Sequence, residues 1–390
     1  SLRRPDDPPS VAEPLDAEVF YLPPEKELRA EIDRRREAGK LPGRVHRAIP
    51  EHRGESDSQR LFEAAWLGPW LREAGVAHVH AHFGGMAART AWWLRKLHGI
   101  PYSFTGHAND IFCETDFPIS NAMLARDAAF IVTETDYARK WMEEKHPFTR
   151  GKVRRVFNGI ALDGFPAPHP AGPPPRVFSV GRYVEKKGFA DLIAACALLR
   201  DQGRAFECLI AGGGPLEADL QDRIERANLG SWVKLLGPRP QSEVRQLLAE
   251  ATVFVLPCVR EAGGGSDNLP TVIMEAMACG IPVVSTPIAG VPEMITDGQD
   301  GLLAPSENPP AVAAAIGRLL EDRTLAARLA SAARETALAK FAIEKTTAEL
   351  KRLLIERAGL TPPPAALQLD PALASLRPPG LFARLWRRRR

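Results

Sequence analysis

The chain has 390 residues, of which 45% are hydrophobic and 25% charged, an ordinary balance for a globular protein that can bury a large core. Its length predicts two or three domains. The formal net charge is only +3 and the sequence has no nucleic-acid-binding motif, so we expect no nucleic acid as a partner. No apolar run approaches the roughly 18 residues of a membrane span.

The cysteines indicate a reducing compartment. There are five, an odd number, and none lies in a Cys-x-x-Cys motif. Most have apolar neighbours, where a free cysteine behaves as a small hydrophobic residue. We therefore predict a cytoplasmic protein without a disulfide framework or a structural zinc site.

Helix and strand patterns alternate through the first part of the chain. Helices are predicted over residues 25–40, 56–75, 84–97 and 136–145, and strands over residues 76–82, 101–105, 130–133 and 153–156. Such alternation is typical of βαβ units with a parallel sheet. The sequence therefore predicts an α/β, Rossmann-like domain in residues 1–165.

A second alternating set follows a proline-rich stretch. Residues 166–175 lack periodicity and are predicted to be a linker. The domain after it, residues 176–340, has strands predicted over 176–180, 208–211, 233–236, 253–256 and 282–285, and helices over 188–202, 216–227, 241–250, 271–278 and 310–320. Residues 341–358 are predicted to form a long helix, and residues 359–390 a proline-rich and then basic tail. Two such domains place a ligand cleft at the carboxyl edges of their strands.

The most informative segment runs from Asp267 through Pro270 to Glu275. Asp267 falls in the loop before a helix that begins near Pro270, and Glu275 falls on the helix about two turns later. Both carboxylates can then face a ligand rich in hydroxyls and phosphates near the helix N-terminus. The alternative is an ordinary αβ unit with two solvated carboxylates.

Two cations and several glycines have similar positions at strand ends. Arg182 and Lys187 follow a predicted strand and Gly181, close to a helix N-terminus, where the helix dipole disfavours cations unless an anion lies between them. The glycine runs around Gly213 and Gly264 allow the backbone to approach a ligand closely. The alternatives are surface charge and flexible loops. The first run lacks the Gly-x-Gly-x-x-Gly register, so a nicotinamide enzyme is a weak interpretation.

His107 follows a predicted strand, in a loop that also contains Asp110. A lone histidine is more often structural than functional, but this one lies at the end of a strand, where the cleft is expected. Asp110 is a candidate for orienting His107 or for touching an acceptor. Two roles are open for His82, at the end of the preceding strand: a structural role, which is the favoured interpretation, and a place in the lining of the cleft.

Taken in order, these segments resemble the retaining glycosyltransferases of family 4, which have the GT-B fold of two Rossmann-like domains facing across a cleft. The pair Asp267 and Glu275 is similar to the family's Glu-x7-Glu signature, with Asp in place of the first Glu. Residues 104–112 resemble the histidine-bearing loop of exopolysaccharide- and colanic-acid-type members. The resemblance covers residues 76–356.

The resemblance implies a role for each candidate residue. Arg182 and Lys187 would hold the diphosphate of a nucleotide-sugar donor, and Glu275 the ribose hydroxyls. His107 would bind near the donor sugar and phosphate, and Asp267 would contact the sugar hydroxyls. Further donor contacts would come from Gly181, Gly213, Gly264, Gly265, Asn268 and Leu269. We expect no metal ion and no cofactor, because no Asp-x-Asp motif is present to hold a bridging cation.

The implied function is transfer of a sugar from the nucleotide-sugar to a lipid-linked saccharide acceptor in surface polysaccharide synthesis. The alternatives are a nucleotide-sugar epimerase or phosphorylase of the same fold, or a non-catalytic nucleotide-sugar-binding or scaffold protein. Relatives begin with a strand, a glycine-bearing loop and a helix before the Ser1 segment, so the chain is expected to lack these elements.

The last residues combine Leu381, Phe382 and Trp386 with the cluster Arg387–Arg390. Aromatic and aliphatic side chains beside arginines suit an anionic membrane surface. This predicts a peripheral position at the inner face of the plasma membrane. A solubilising terminus explains the same residues equally well.

Overall fold

The computed structural model describes residues 22–113, 116–162, 164–170 and 172–359. Predictions for residues 1–21 and for the basic tail lie outside this range. The chain divides into two compact units. Among the described residues, the first comprises residues 22–104, 116–130 and 355–359, and the second comprises residues 105–113 and those described between 131 and 354.

The elements up to residue 162 alternate as the sequence predicts, with three additional helices. The helices are α1 (Glu25–Glu37), α2 (Gly43–His52), α3 (Gln59–Glu73), α4 (Met86–His98), α5 (Ala108–Phe112), α6 (Asn121–Asp127) and α7 (Asp136–Lys145), of which α2, α5 and α6 are the additional ones. The strands are β1 (Val79–His82), β2 (Tyr102–Gly106), β3 (Ile131–Thr133) and β4 (Val153–Arg155), in the sheet order β1-β2-β3-β4. β3 and β4 pair in parallel.

The N-terminal helices depart from the sequence prediction for local reasons. The sequence does not predict α2, because Pro42 precedes it and Pro50 lies within it, and proline normally marks a break. Helix α3 begins at Gln59 rather than at residue 56. Asp57 has a left-handed backbone conformation with φ 68°, which a right-handed helix cannot include. The seven-residue α6 is too short to produce a clear periodic pattern.

The second sheet has six strands, and each pairing in it is parallel. Its strands are β5 (Arg176–Val180), β6 (Glu207–Ala211), β7 (Val233–Gly237), β8 (Val253–Leu256), β9 (Val283–Ser285) and β10 (Leu302–Leu303), in the order β10-β9-β8-β5-β6-β7. The chain runs outward from β5 to β7 and then returns to β8 on the other side of β5. This reversal creates a switch point between β5 and β8, where open α/β sheets bind ligands beyond the strands' carboxyl ends.

The remaining helices are α8 (Phe189–Asp201), α9 (Glu217–Arg226), α10 (Gln241–Glu250), α11 (Thr271–Cys279), α12 (Val291–Met294), α13 (Pro309–Glu321), α14 (Arg323–Lys340) and α15 (Ile343–Ala358). The α/β class with two sheets is thus confirmed. The sequence analysis misses α12, α14 and β10. Helix α14 buries a stripe of Leu325, Leu329, Ala333 and Ala337, a spacing of four that is visible in the sequence.

The core of the second unit lies between its sheet and the helices that cover it. Phe178 on β5 and Phe254 on β8 are fully buried neighbours, with ring centroids 6.3 Å apart. Tyr183 is also fully buried, and its hydroxyl donates a hydrogen bond to the Ile210 carbonyl at 2.9 Å. Side chains buried on both faces explain why these strands have continuous apolar sequences.

Among the described residues, no helix is both long enough and apolar enough to cross a bilayer.

Candidate functional site

The loop after β5 is shaped by a close approach of backbone and side chain. The Gly181 amide donates to the Ala211 carbonyl at 3.0 Å. The Lys187 side chain crosses over Gly181, so that an added Cβ at Gly181 would lie 3.3 Å from Lys187 Cδ and Cε. Gly212 is tighter still, because its Cβ would lie 1.8 Å from the Gly181 carbonyl oxygen. Glycine at position 212 is therefore what allows these two strand ends to meet in this way.

Lys187 is fixed at the start of α8. The next residue, Gly188, has a left-handed conformation with φ 67°, and a Cβ there would lie 1.8 Å from the Pro257 carbonyl oxygen. The local backbone therefore requires glycine directly after Lys187. Arg182, in the same loop, is exposed. Two cationic side chains, Arg182 and Lys187, thus lie beyond the carboxyl end of β5.

The structure pairs Lys187 with Asp267. Lys187 Nζ contacts Asp267 Oδ2 across 80 positions of sequence, and the two side chains remain 14% and 18% exposed. Lys187 follows β5 and Asp267 follows β8, so the pair lies at the switch point of the sheet, where a ligand is expected. The sequence analysis predicts both residues as site residues but does not predict their contact.

The glycines before Asp267 form a closed turn. The Glu261 amide donates to the Gly265 carbonyl and the Gly264 amide to the Glu261 carbonyl, both at 2.8 Å. Gly264 has φ 83°, a conformation that favours glycine. Gly265 is buried beneath the Glu261 carboxylate, since an added Cβ would lie 2.2 Å from Glu261 Oε2. Gly264 is exposed and Gly265 is covered.

Asn268 and Leu269 both turn inward. Asn268 is 1% exposed, and its Oδ1 accepts a hydrogen bond from Thr135 Oγ1 at 2.6 Å. Leu269 is part of the hydrophobic core. Their predicted contact with a donor remains a prediction. With the side chains so placed, that contact would come from backbone groups.

Glu275 lies on the second turn of α11, which begins after Pro270 and ends at the left-handed Gly280. The residue is half-buried. Burial raises the pKa of Glu275 above its usual 4.5, and the nearby charge of Arg245 partly opposes that shift. Burial therefore destabilises the ionised form of this carboxylate. Hydroxyl groups of a ligand that donate hydrogen bonds to it would stabilise that form.

Gly213 belongs to the same strand-end surface as Gly181. Its carbonyl accepts from the Tyr183 amide at 2.9 Å, and an added Cβ would lie 3.1 Å from Pro238 Cγ. The predicted contact of Gly213 with a donor is not tested by this packing. What the packing explains is why a small residue stands there.

His107 follows β2 directly and is held on two sides. Its backbone amide donates to Asp110 Oδ2 at 3.1 Å, so Asp110 fixes the loop. Its ring Nδ1 lies 2.8 Å from Glu134 Oε1. Glu134 follows β3 and also contacts Asn158 Nδ2 and, at 3.4 Å, Asn268 Nδ2.

The sequence analysis misses Glu134. The available signal was its place immediately after an apolar strand, the position where parallel sheets carry functional side chains. The sequence analysis also misses Glu293, whose carboxylate accepts from the backbone amides of Asp136 at 2.8 Å and Tyr137 at 2.7 Å. A carboxylate on these unpaired N–H groups stabilises the start of α7.

Comparisons with known proteins agree with this architecture. The family model Glycosyltransferase Family 4 matches residues 15–163, and the model Glycosyl transferases group 1 matches residues 165–336. The solved structure of Anabaena HepE in complex with UDP is similar with a TM-score of 0.64 and 20% identity, over 75% of this chain and 82% of that one. At that identity the similarity shows the fold alone.

Two curated relatives illustrate the range of the similarity. The amylovoran biosynthesis glycosyltransferase AmsK of Erwinia amylovora is 44% identical over 146 residues, 37% of this chain and 36% of the relative. The GDP-mannose-dependent alpha-(1-6)-phosphatidylinositol monomannoside mannosyltransferase of Mycolicibacterium smegmatis is 34% identical over 342 residues, 81% of this chain and 80% of the relative. The chain spans 35% to 65% of the length of the first curated relatives it matches. The two family models and the alignment with the Mycolicibacterium smegmatis mannosyltransferase show that the chain belongs to the family 4 glycosyltransferases, with the GT-B fold.

Proposed function

We propose that this protein is a retaining, metal-independent glycosyltransferase of surface or exopolysaccharide synthesis. It moves a sugar from a nucleotide-diphosphate-sugar donor to a lipid-linked saccharide acceptor. The observation that carries the proposal is the Lys187–Asp267 pair at the switch point of the six-stranded sheet. Family membership, the neighbour solved with UDP and the relative named for exopolysaccharide-type amylovoran synthesis support it.

In this proposal the leaving nucleotide is stabilised by cations of the protein. Departure of the diphosphate concentrates negative charge, which preorganised donors must neutralise. Lys187 supplies a point charge and Arg182 a planar fork of N–H donors, both at the end of β5. This pair of cations is the support for metal independence. The diphosphate displaces Asp267 from Lys187, and the released carboxylate then accepts from sugar hydroxyls.

One carboxylate, that of Glu275, and one imidazole, that of His107, complete the donor site. Glu275 accepts hydrogen bonds from the ribose hydroxyls, which compensates for its poor solvation. His107 contacts the sugar and phosphate from the loop after β2. We assign His107 no role as general base, since in a retaining reaction on one face of the sugar the leaving phosphate can take the acceptor proton.

The first experiment is a thermal-shift panel of UDP, GDP, ADP and their sugars, each with and without EDTA. A ligand that binds only the folded protein raises its melting temperature. A rise with one nucleotide class that EDTA does not change would support the donor site and its independence from metal. No rise with any nucleotide would refute the proposed donor site and favour a scaffold.

The second experiment follows the product. Incubation of the nucleotide-sugar with lipid-linked saccharide should give a lengthened saccharide, and NMR of the new linkage should show the anomeric configuration of the donor. Conversion of the donor without acceptor would instead identify an epimerase. Inversion of the anomeric centre would contradict the retaining mechanism alone.

Membrane attachment is a separate part of the proposal. Deletion of residues 381–390 should abolish salt-sensitive sedimentation of the protein with anionic phosphatidylglycerol vesicles, because clustered arginines bind acidic headgroups. Unchanged sedimentation of the shortened chain would contradict the peripheral location and leave the donor site unaffected.

A further inference from the structure

Glu134 is a buried carboxylate with three nitrogen contacts. It is 5% exposed. Its Oε1 contacts His107 Nδ1 at 2.8 Å and also Asn158 Nδ2, and its Oε2 faces Asn268 Nδ2 at the longer distance of 3.4 Å. An ionised carboxylate accepts several hydrogen bonds and donates none, so it fits a site lined by N–H groups. Burial without such partners would be strongly unfavourable.

The direction of the hydrogen bonds can be traced from a backbone amide. The Ala138 amide donates to Thr135 Oγ1 at 3.1 Å at the start of α7. The same hydroxyl donates its own hydrogen to Asn268 Oδ1 at 2.6 Å. The amide nitrogen of Asn268 is then the group that faces Glu134. This orientation makes Asn268 a donor and Glu134 an acceptor.

The contact with Glu134 also fixes the proton of His107. With Glu134 as an acceptor, the 2.8 Å contact requires a hydrogen on His107 Nδ1. A neutral imidazole with its hydrogen on Nδ1 carries its acceptor lone pair on Nε2. A carboxylate bonded to one ring nitrogen also fixes the orientation of the ring.

We propose that Glu134 is a positioning residue that sets the tautomer and ring orientation of His107, and that Asn268 holds the Glu134 carboxylate in place. The proposal depends on the proposed function only for the assumption that His107 contacts the donor. Since Asn268 directly follows Asp267, the network also joins the His107 loop to the loop that supplies the partner of Lys187. Ordering of one loop therefore assists the other.

The tautomer is tested by long-range ¹H–¹⁵N correlation spectra of protein labelled at its nine histidines. The His107→Gln variant identifies the His107 signals by their loss. The expected spectrum of the intact protein shows a protonated Nδ1 and an unprotonated Nε2. In Glu134→Gln, which keeps the side-chain shape but removes the charge, the two tautomers should mix. A dominant Nε2–H form in the intact protein, or an unchanged spectrum in the variant, would overturn the proposal.

Kinetics test whether Glu134 acts through His107. Glu134→Gln should lower kcat by about 10- to 100-fold, the loss found when the outer partner of a metal-binding histidine is removed, with less than about a threefold change in donor KM. In a His107→Gln background the same substitution should add almost nothing, because residues in one network are not additive. Equal losses in both backgrounds would show an independent structural role and overturn the proposal.

Glu293→Gln is the matched control. It removes another carboxylate of the second unit, one that accepts backbone N–H groups of α7, and it should leave the His107 tautomer unchanged. Failure of the proposed function is distinguishable, since the intact protein would then show no sugar transfer for His107→Gln to lower, while the spectra still decide the role of Glu134. Glu134→Asp, which keeps the charge, should preserve the Nδ1–H tautomer.

Discussion

Two ion-pair clusters of this protein use similar residues in different ways. In the first unit, α3 and α4 are joined by a closed cluster in which Asp57 contacts both Arg60 and Arg89. In the second unit, Lys187 and Asp267 meet between two loops at the ends of strands. The first cluster is enclosed by helices. The second lies beyond the carboxyl ends of β5 and β8, in loops that contain several glycines.

The members of the closed cluster contact one another and a neighbouring aromatic ring. Arg89 is 3% exposed and lies over the Phe117 ring at 3.9 Å. Arg60 also contacts Glu63 at 2.9 Å, and Thr90 donates to Glu63 at 2.6 Å. The Lys187–Asp267 pair is more exposed and can exchange Asp267 for another anion. The difference shows that a buried, multiply bonded cluster specifies packing, while a half-open pair at a switch point suits binding.

The largest expected effect is on the closed cluster. Arg89→Met should lower the free energy of unfolding by about 3–5 kcal/mol, because it leaves the largely buried Asp57 carboxylate with only its 3.3 Å contact to Arg60. Urea unfolding followed by circular dichroism measures this loss. The folded fraction should still bind UDP with unchanged affinity.

A matched control uses an exposed pair. Arg223 contacts Asp219 with side chains 50% and 46% exposed, so Arg223→Met should change stability by less than about 0.5 kcal/mol. If Arg89→Met costs no more than this control, the closed cluster does not stabilise the fold.

The next effect is on ligand binding. Lys187→Ala should weaken nucleoside-diphosphate affinity by about 30- to 100-fold, equivalent to ~2–3 kcal/mol for loss of a charged partner. Titration calorimetry with UDP and GDP measures the change. The exposed Lys234 serves as control, since Lys234→Ala removes the same charge from β7 without affecting binding. Unchanged affinity in Lys187→Ala would remove it from the donor site.

Asp267→Asn tests whether the pair is exchangeable. If the diphosphate must displace Asp267 from Lys187, loss of the carboxylate charge should tighten nucleoside-diphosphate binding by about 3- to 10-fold, a change of ~1 kcal/mol. Sugar transfer should fall at the same time. Calorimetry and a transfer assay measure the two effects separately. Weaker binding in Asp267→Asn would indicate that Asp267 organises the site instead.

The smallest effect concerns Glu275. Because its pKa is raised in the folded protein, its contribution to stability decreases as pH rises from 4.5 through the folded-state pKa. Glu275→Gln should therefore raise stability by up to about 1 kcal/mol at pH 7 without ligand, and should weaken binding of UDP but not of pyrophosphate. Thermal unfolding from pH 4 to 8 measures the first effect. A variant less stable than the wild type at pH 7 would contradict it.

The sequence predicts the second domain better than the first. Glycine turns, apolar strands and helix starts depend on neighbouring residues. The helix predicted over residues 271–278 therefore agrees closely with the observed Thr271–Cys279. The first part contains α2, with an internal proline, and α6, which is only seven residues long. In both helices tertiary packing outweighs weak local signals.

The sequence by itself determined the α/β class, the family and the loops that carry Gly181, Lys187, Asp267 and Glu275, because turn chemistry and periodicity act within a few residues. Only the tertiary structure decided which of these groups meet. Lys187 meets Asp267 because β8 pairs with β5 rather than extending the sheet beyond β7. Glu134 meets His107 across 27 positions and Asn268 across 134. Strand order is set by the burial of whole elements against one another, so a local pattern does not contain it.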